Sequence, residues 1–307
     1  MSRLGHLADE YLQTRRALGY KLASQGRVLR GFVRYLDDRG DSRITVEAAL
    51  AFATQPAGAR PIWWTRRLSV VRGFAAFVQT IDPDTEVPPN SLLARGVSRA
   101  VPYLYSASQV AALMATARRL GTPLLAATYE TLIGLLAVTG IRVGEAIALN
   151  RDDVDLARGV LTIGSGKFGK ARMVPVHPST VQALETYAGR RDEMRPRCAA
   201  PSFFVSTVGT RLTYNTVRVT FARLARQAGV EATSQRCHPR LHDFRHRFAV
   251  QTLLGWYRSQ DDVAARLPLL STYLGHVKPQ STYWYLSATP DLLALAADRL
   301  ASSEVIE

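Results

Sequence analysis

The sequence has few of the cysteines that cross-link small folds, and it lacks the long apolar runs that span a membrane. It contains two cysteines, Cys198 and Cys237, which form no CxxC pair. Disulfide frameworks and structural zinc sites need several regularly spaced cysteines, so neither is expected, and this usage is typical of a reducing compartment. The N-terminus lacks the apolar stretch of a signal peptide, and the longest apolar run, 132–138, is far too short to cross a bilayer. We therefore expect a soluble cytoplasmic protein with no membrane partner.

Acidic residues are also scarce relative to basic ones. The 307 residues include 39 Lys and Arg but only 25 Asp and Glu, which gives a formal net charge of +14. A fold needs no such surplus, whereas a protein that neutralises phosphates gains affinity by releasing condensed counterions. The charge balance favours a nucleic-acid partner, with a merely solubilising basic surface as the alternative. The length favours two domains.

Residues 1–95 have the patterns of a small basic helical bundle. Ser24 is expected to cap a helix whose apolar residues recur every three or four positions until Gly40. Thr45 is expected to cap a short helix, and Pro61 suits the first turn of a longer one.

A proline-rich segment and a basic stretch separate the bundle from the rest of the chain. Pro83, Pro88 and Pro89 interrupt regular structure. We predict a linker at residues 96–104, which would let two domains close around a duplex. An ordinary surface loop is the alternative.

Residues 105–290 combine helices with one short region of strand pattern. The runs 160–163 and 172–176 are rich in β-branched residues, and the glycine- and lysine-rich segment GSGKFGKA between them is typical of a hairpin. Helical patterns lie on both sides, from 108 and 123 onward and again from 178, 213 and 239. The predicted fold class is mainly α with a small β-sheet: a helical domain followed by a mixed α/β domain.

Five short segments of this second domain carry unusual polar residues, and each is weak on its own. Arg142 and Glu145 could be an ordinary surface pair three residues apart on a helix. His242, Arg245 and His246 fall on one helix face, which could suggest a metal site. An arginine on that face would repel a cation, and no HExxH-type carboxylate lies between the histidines, so no metal is expected.

Taken together, the arginines, lysines, histidines and tyrosines of these five segments suit the cleavage of a phosphodiester. Guanidinium groups can grip the non-bridging oxygens, where negative charge develops in the transition state. A phenol is a weak nucleophile at neutral pH, and nearby cations ease its deprotonation. A lysine from the hairpin can deliver a proton to the leaving oxygen. The phosphate loop of nucleotide-binding proteins is absent from the sequence, and no cofactor is expected.

The ordered segments TGIRVGEAIAL, GKFGKARMVPV, HDFRH, LGH and a tyrosine nine residues after that last histidine resemble the tyrosine recombinase (phage integrase) family. The resemblance spans roughly residues 104–290, and it implies that the helical bundle at residues 1–95 is the family's DNA core-binding domain. It implies that two arginines bind the scissile phosphate, a hairpin lysine acts as general acid, two histidines support the phosphate chemistry, and a tyrosine attacks. The implied catalytic residues are Arg142, Lys167, His242, Arg245, His276 and Tyr285.

Two positions within this resemblance leave a choice. Phe168 stands where the family commonly has glycine, so Lys170 is a reserve for Lys167. Tyr283 lies two residues from Tyr285 and would point elsewhere on a helix, and the spacing from the LGH histidine favours Tyr285.

The resemblance also implies an activity and partners. The protein would recombine double-stranded DNA sites, as a dimer on each site and a tetramer in synapsis, with sister recombinases or accessory proteins as further partners. The long segment between HDFRH and LGH suggests a transposon- or integron-borne subgroup, and residues 291–307 could be exchanged between protomers. The alternatives are a type IB topoisomerase and a catalytically silent DNA-binding partner or regulator with the same fold.

Overall fold

The computed structural model describes residues 2–55, 57–93, 101–164, 171–196, 200–276, 278, 280–287, 292–295 and 297. The chain divides into two compact units, Met1–Arg99 and Ala100–Glu307. The finer division into a linker at 96–104, a catalytic domain at 105–290 and a tail at 291–307 stays a prediction. Within the described part of the chain, no helix combines the length and apolar content needed to cross a membrane.

The first unit contains four described helices around one apolar core. Leu29, Phe32, Leu36 and Phe74 are fully buried there. Because such side chains recur every three or four residues, each helix presents one apolar face to the others. The helices are α1 (Arg3–Ala17), α2 (Ala23–Arg39), α3 (Val46–Thr54) and α4 (Pro61–Gln79).

Two of the three predicted helix starts in this unit are confirmed. The Thr45 hydroxyl accepts a hydrogen bond from the Ala48 backbone N–H (3.1 Å), and Pro61 is the first residue of α4. The prediction for Ser24 is wrong: α2 begins at Ala23, after Leu22 in a left-handed conformation, and the Ser24 hydroxyl contacts the Gln25 side chain instead. A non-glycine residue with positive φ is uncommon, and no periodicity signals it.

The second unit is mainly helical with one small sheet, which confirms the predicted fold class. Three antiparallel strands form the sheet in the order β1–β2–β3, and Leu161 pairs with Val174 across β2 and β3. The strands are β1 (Val154–Asp155), β2 (Val160–Ile163) and β3 (Arg172–Pro175). Strand β1 was not predicted, because two residues are too few to show a periodicity.

The helices of this unit surround α6, which is apolar on nearly all sides. Helix α6 packs against α5, α8 and α10, so almost every face of it is buried. The helices are α5 (Ala107–Ala117), α6 (Pro123–Thr139), α7 (Val143–Ala148), α8 (Pro178–Met194), α9 (Tyr214–Gln227), α10 (Asp243–Arg258), α11 (Val263–Leu274) and α12 (Gln280–Tyr283), with 3₁₀ turns at Arg151–Asp153 and Trp284–Ser287.

A separate apolar cluster lies under α10, α11 and the 3₁₀ turn at Trp284–Ser287. Leu253, Leu274 and Tyr285 are buried in it, and Leu292 joins them. Of the C-terminal segment 291–307, the structure describes residues 292–295 and 297, which are helical. This cluster fixes the turn that carries Tyr285 against the helix that carries Arg245.

Candidate active site

The turn between α6 and α7 positions the first predicted arginine. Gly140 ends α6 with φ +60°, and a Cβ at this position would lie 2.6 Å from Cδ1 of Phe248, so glycine is required. Arg142 then precedes the first residue of α7. Its backbone N–H donates to the Glu145 carboxylate (2.9 Å), which secures the start of this short helix.

Glu145 is held between two guanidinium groups. Arg142 Nη1 donates to its Oε1 (2.6 Å), and Arg172 Nη2 donates to its Oε2 (2.8 Å). Burial alone would raise the pKa of Glu145, but the hydrogen bonds and charges of Arg172 and Arg142 outweigh it and lower the pKa to about 2. About two-fifths of the Arg142 side chain is exposed, whereas Arg172 is largely buried.

Arg245 is the most deeply buried cation of the site. Only 1% of it is exposed, and its Nη1 and Nη2 donate to the backbone carbonyls of Gly140 (3.0 Å) and Leu274. These carbonyls lie at the C-terminal ends of α6 and α11, where partial negative charge favours a cation. Burial, reinforced by the charge of Arg142, lowers the Arg245 pKa to about 10, so it remains charged at neutral pH.

His276 follows directly after the glycine that ends α11. Gly275 has φ +67°, and its carbonyl accepts a hydrogen bond from Arg142 Nη2 (3.1 Å). His276 Nδ1 lies 2.7 Å from the Thr282 hydroxyl. Burial lowers the His276 pKa to about 4, together with the charges of Arg245, Arg142, His242 and Arg172, so the imidazole is neutral at pH 7.

Tyr285 lies against two histidines. Its ring stacks on that of His276, with centroids 5.9 Å apart and planes at 24°, and meets His246 edge-on at 5.4 Å. Only 2% of Tyr285 is exposed, whereas 54% of Tyr283 is. The two tyrosines therefore differ sharply: one is packed inside the cluster and the other faces solvent.

The structure brings four of the predicted residues into one region: Arg142, Arg245, His276 and Tyr285. His242 is exposed and lies beside them, with its ring centroid 4.9 Å from that of His246. Lys167 and its reserve Lys170 lie outside the described residues.

Three neighbours of this region were not assigned roles from the sequence: Arg172, His246 and Thr282. Arg172 opens a strand and looks like an ordinary edge cation, so nothing local signals its bond to Glu145. Of the three, only His246, the second histidine of HDFRH, could have been noticed from the sequence, because it shares a helix face with Arg245.

The arrangement concentrates positive charge around a phenol. Two arginines and a neutral imidazole provide N–H donors. A phosphodiester is an anion whose oxygens accept hydrogen bonds, so it is a ligand that suits these donors. A cavity of about 320 Å³ beside α11 reaches His276, Thr282 and Tyr283. Over the ranges described, no three His, Cys, Asp or Glu side chains are grouped to hold a metal ion.

Comparisons with known proteins identify the family of the chain. A family model described as the phage integrase family matches residues 104–291. The integrase/recombinase y4rB of Sinorhizobium fredii is 43% identical over 98% of both chains. Tyrosine recombinase XerC of Azotobacter vinelandii is 29% identical over 76% of this chain and 72% of its own. The Tn1549 transposon integrase, solved in complex with transposon right end DNA, is 17% identical with a TM-score of 0.65 over 98% of this chain and 100% of that one.

Proposed function

The chain belongs to the phage integrase family, and from that premise we propose that it is a site-specific tyrosine recombinase that cleaves and rejoins DNA. The observation that carries the proposal is the convergence of Arg142, Arg245 and His276 around Tyr285. The positive charges of Arg245 and Arg142 help to lower the pKa of His276, and the His276 ring stacks on that of Tyr285.

In the proposed reaction, the Tyr285 oxygen attacks the scissile phosphorus while Arg142 and Arg245 bind the non-bridging oxygens. The bond between the phosphorus and the 5′-oxygen breaks, which leaves a 3′-phosphotyrosyl ester and a free 5′-hydroxyl. A 5′-hydroxyl of the partner duplex then attacks this ester and releases the tyrosine. The ester conserves the bond energy, so rejoining needs no nucleotide. Loss of one such preorganised donor typically costs about 100- to 1,000-fold in rate.

Proton transfers complete the scheme. Lys167 protonates the leaving 5′-oxygen, with Lys170 as its substitute, and this role rests on the family resemblance. His242 is exposed close to Arg142, Arg245 and His276, and it supports acid–base chemistry at the phosphate by accepting the proton that the Tyr285 phenol loses on attack. His276 is neutral and donates its N–H to a phosphate oxygen.

The burial of the nucleophile requires a movement. Tyr285 and Arg245 are 2% and 1% exposed, so a phosphate cannot touch both in this arrangement. Arg142 is accessible and meets the phosphate first. We propose that the segment 280–287 shifts when DNA binds and carries the Tyr285 phenol toward the guanidinium groups.

The proposed partners are double-stranded recombination sites and further copies of the same chain. The net charge of +14 supports binding dominated by phosphate contacts, which weakens steeply with salt. One dimer binds each site and two dimers form a synaptic tetramer, with residues 291–307 exchanged between protomers. The cytoplasm is the proposed location, and a mobile element the proposed context.

Formation of a covalent DNA adduct tests the proposal. Bound DNA is first selected from a random duplex library, and the selected site is then built into a nicked suicide substrate. We expect an adduct that denaturing gels resolve from free protein, and we expect Tyr285→Phe to abolish it while site affinity is retained. Tyr283→Phe is the matched control and should form the adduct at the wild-type rate.

The other outcomes identify the alternatives. An adduct combined with relaxation of any supercoiled plasmid, without joining of two sites, would favour a type IB topoisomerase. Site binding with no adduct from the wild-type protein would favour a silent binding partner and overturn the proposed activity.

A further inference from the structure

Thr282 is a buried polar residue that the proposed reaction does not use. It lies on α12, three residues before Tyr285, and only 2% of it is exposed. Its hydroxyl lies 2.7 Å from Nδ1 of His276. Among the residues that the structure describes, the imidazole is the one partner of this hydroxyl.

A hydroxyl that is removed from water needs an acceptor for its proton. With Nδ1 as the partner at hand, the Thr282 O–H donates and Nδ1 accepts. A neutral imidazole carries one proton, so accepting at Nδ1 puts that proton on Nε2. Phosphate oxygens only accept, and His276 can contribute to phosphate binding in the neutral form only if Nε2 carries the hydrogen.

We propose that Thr282 is a positioning residue that fixes the Nε2–H tautomer and ring orientation of His276. This inference rests on the proposed function, because it gives His276 the phosphate as its ligand. Thr282 and Tyr285 belong to one short segment, and His276 is expected to keep its hydrogen bond to Thr282 when that segment moves toward the phosphate.

Substitution of the hydroxyl by a methyl group isolates this role. Thr282→Val keeps the branched shape and removes the donor, whereas Thr282→Ser keeps the donor. Thr272→Val is the matched control, since Thr272 lines the same cavity but its hydroxyl donates to the Pro268 carbonyl (2.9 Å). We expect the single-turnover rate of adduct formation to fall about tenfold or more in Thr282→Val, because a lost oriented donor of about 1.4 kcal/mol corresponds to that factor. The rate of Thr282→Ser should stay within about threefold of the wild-type rate, and the rate of Thr272→Val should equal the wild-type rate.

Two further readouts separate positioning from mere destabilisation. In ¹⁵N spectra of histidine-labelled protein at pH 7, His276 should show a protonated Nε2, and Thr282→Val should move the ring toward a mixture of tautomers. The His276 signals are assigned by their loss in His276→Gln. In a His276→Gln background, Thr282→Val should cause no further loss of rate, whereas general destabilisation would still lower it.

The outcomes are distinguishable from failure of the proposed function. If the wild-type protein forms an adduct and Thr282→Val forms it at the same rate, the inference is wrong and the recombinase assignment stands. A protonated Nδ1 in the wild type would also overturn it, whatever the activity. If the wild type forms no adduct, the proposed function fails, and the role of Thr282 in it fails as well.

Discussion

Replacing Glu145 by Gln should change how the stability of the protein depends on pH. The carboxylate lies between Arg142 and Arg172, and only 10% of it is exposed. Its pKa falls from an ordinary 4.5 to about 2, which corresponds to about 3 kcal/mol of folded-state stability at neutral pH. Because the pKa is lower in the folded protein, this stability is present above pH 4.5 and is lost as the pH falls toward 2.

Urea unfolding of wild type and Glu145→Gln, at several pH values between 7 and 3.5, measures this contribution. Gln does not titrate, so the free-energy difference between the two proteins follows the carboxylate alone. From the pKa values of 4.5 and about 2, the difference should narrow by about 1.4 kcal/mol between pH 7 and pH 3.5.

An exposed pair provides the matched control. Glu130 accepts a hydrogen bond from Arg118 (2.7 Å), and 63% of that arginine is exposed, so Glu130→Gln should change stability by less than about 1 kcal/mol. A difference between wild type and Glu145→Gln that stays constant from pH 7 to pH 3.5 would refute the reasoning. It would mean that the two guanidinium groups do not stabilise the ionised carboxylate.

Three further outcomes are expected. Gly140→Ala should destabilise the second unit by about 2–4 kcal/mol in urea unfolding, because φ is +60° and the new Cβ meets Phe248 at 2.6 Å; Gly255→Ala, on an open helix surface, should instead stabilise it by about 0.5–1 kcal/mol. The His276 pKa falls from 6.5 to about 4, so the folded state resists protonation; wild type should lose about 2–3 kcal/mol relative to His276→Gln between pH 7 and pH 4.5, and an unchanged difference would contradict this. Arg245→Lys should lower the single-turnover adduct rate about 100-fold or more, because a lysine cannot bind both backbone carbonyls and grip a phosphate; a rate near wild type would remove Arg245 from the proposed mechanism.

Local patterns in the sequence predicted most of the helices and the β2–β3 hairpin. Thr45 and Pro61 mark helix starts because a capping hydroxyl and a pre-set φ act over a few residues. The start of α2 could not be predicted, since a left-handed Leu22 depends on the packing around it. Helices were predicted from residue 239 onward without internal bounds, and the break between α10 and α11, where Gln260 has φ +57°, carried no local signal.

The candidate site was predictable as a set of residues but not as a geometry. Motif order and family resemblance indicated Arg142, Arg245, His276 and Tyr285, whose convergence depends on contacts more than 100 residues apart in sequence, such as that from Arg245 to Gly140. Neither periodicity nor resemblance indicated that Tyr285 is buried. That property arises from the packing of a short turn against α10 and α11, to which residues distant in the chain contribute.

The attachment of Arg245 to main-chain carbonyls has a consequence for how such a protein can diverge. Both acceptors belong to the peptide backbone at the ends of α6 and α11, so no single side-chain replacement can delete either of them. The hydrogen bonds of Arg245 are lost directly only when the arginine itself is replaced, or when a change at the glycines alters the shape of those helix ends. A replacement elsewhere in the surrounding sequence can change the orientation of this cation only by moving the end of one of these two helices.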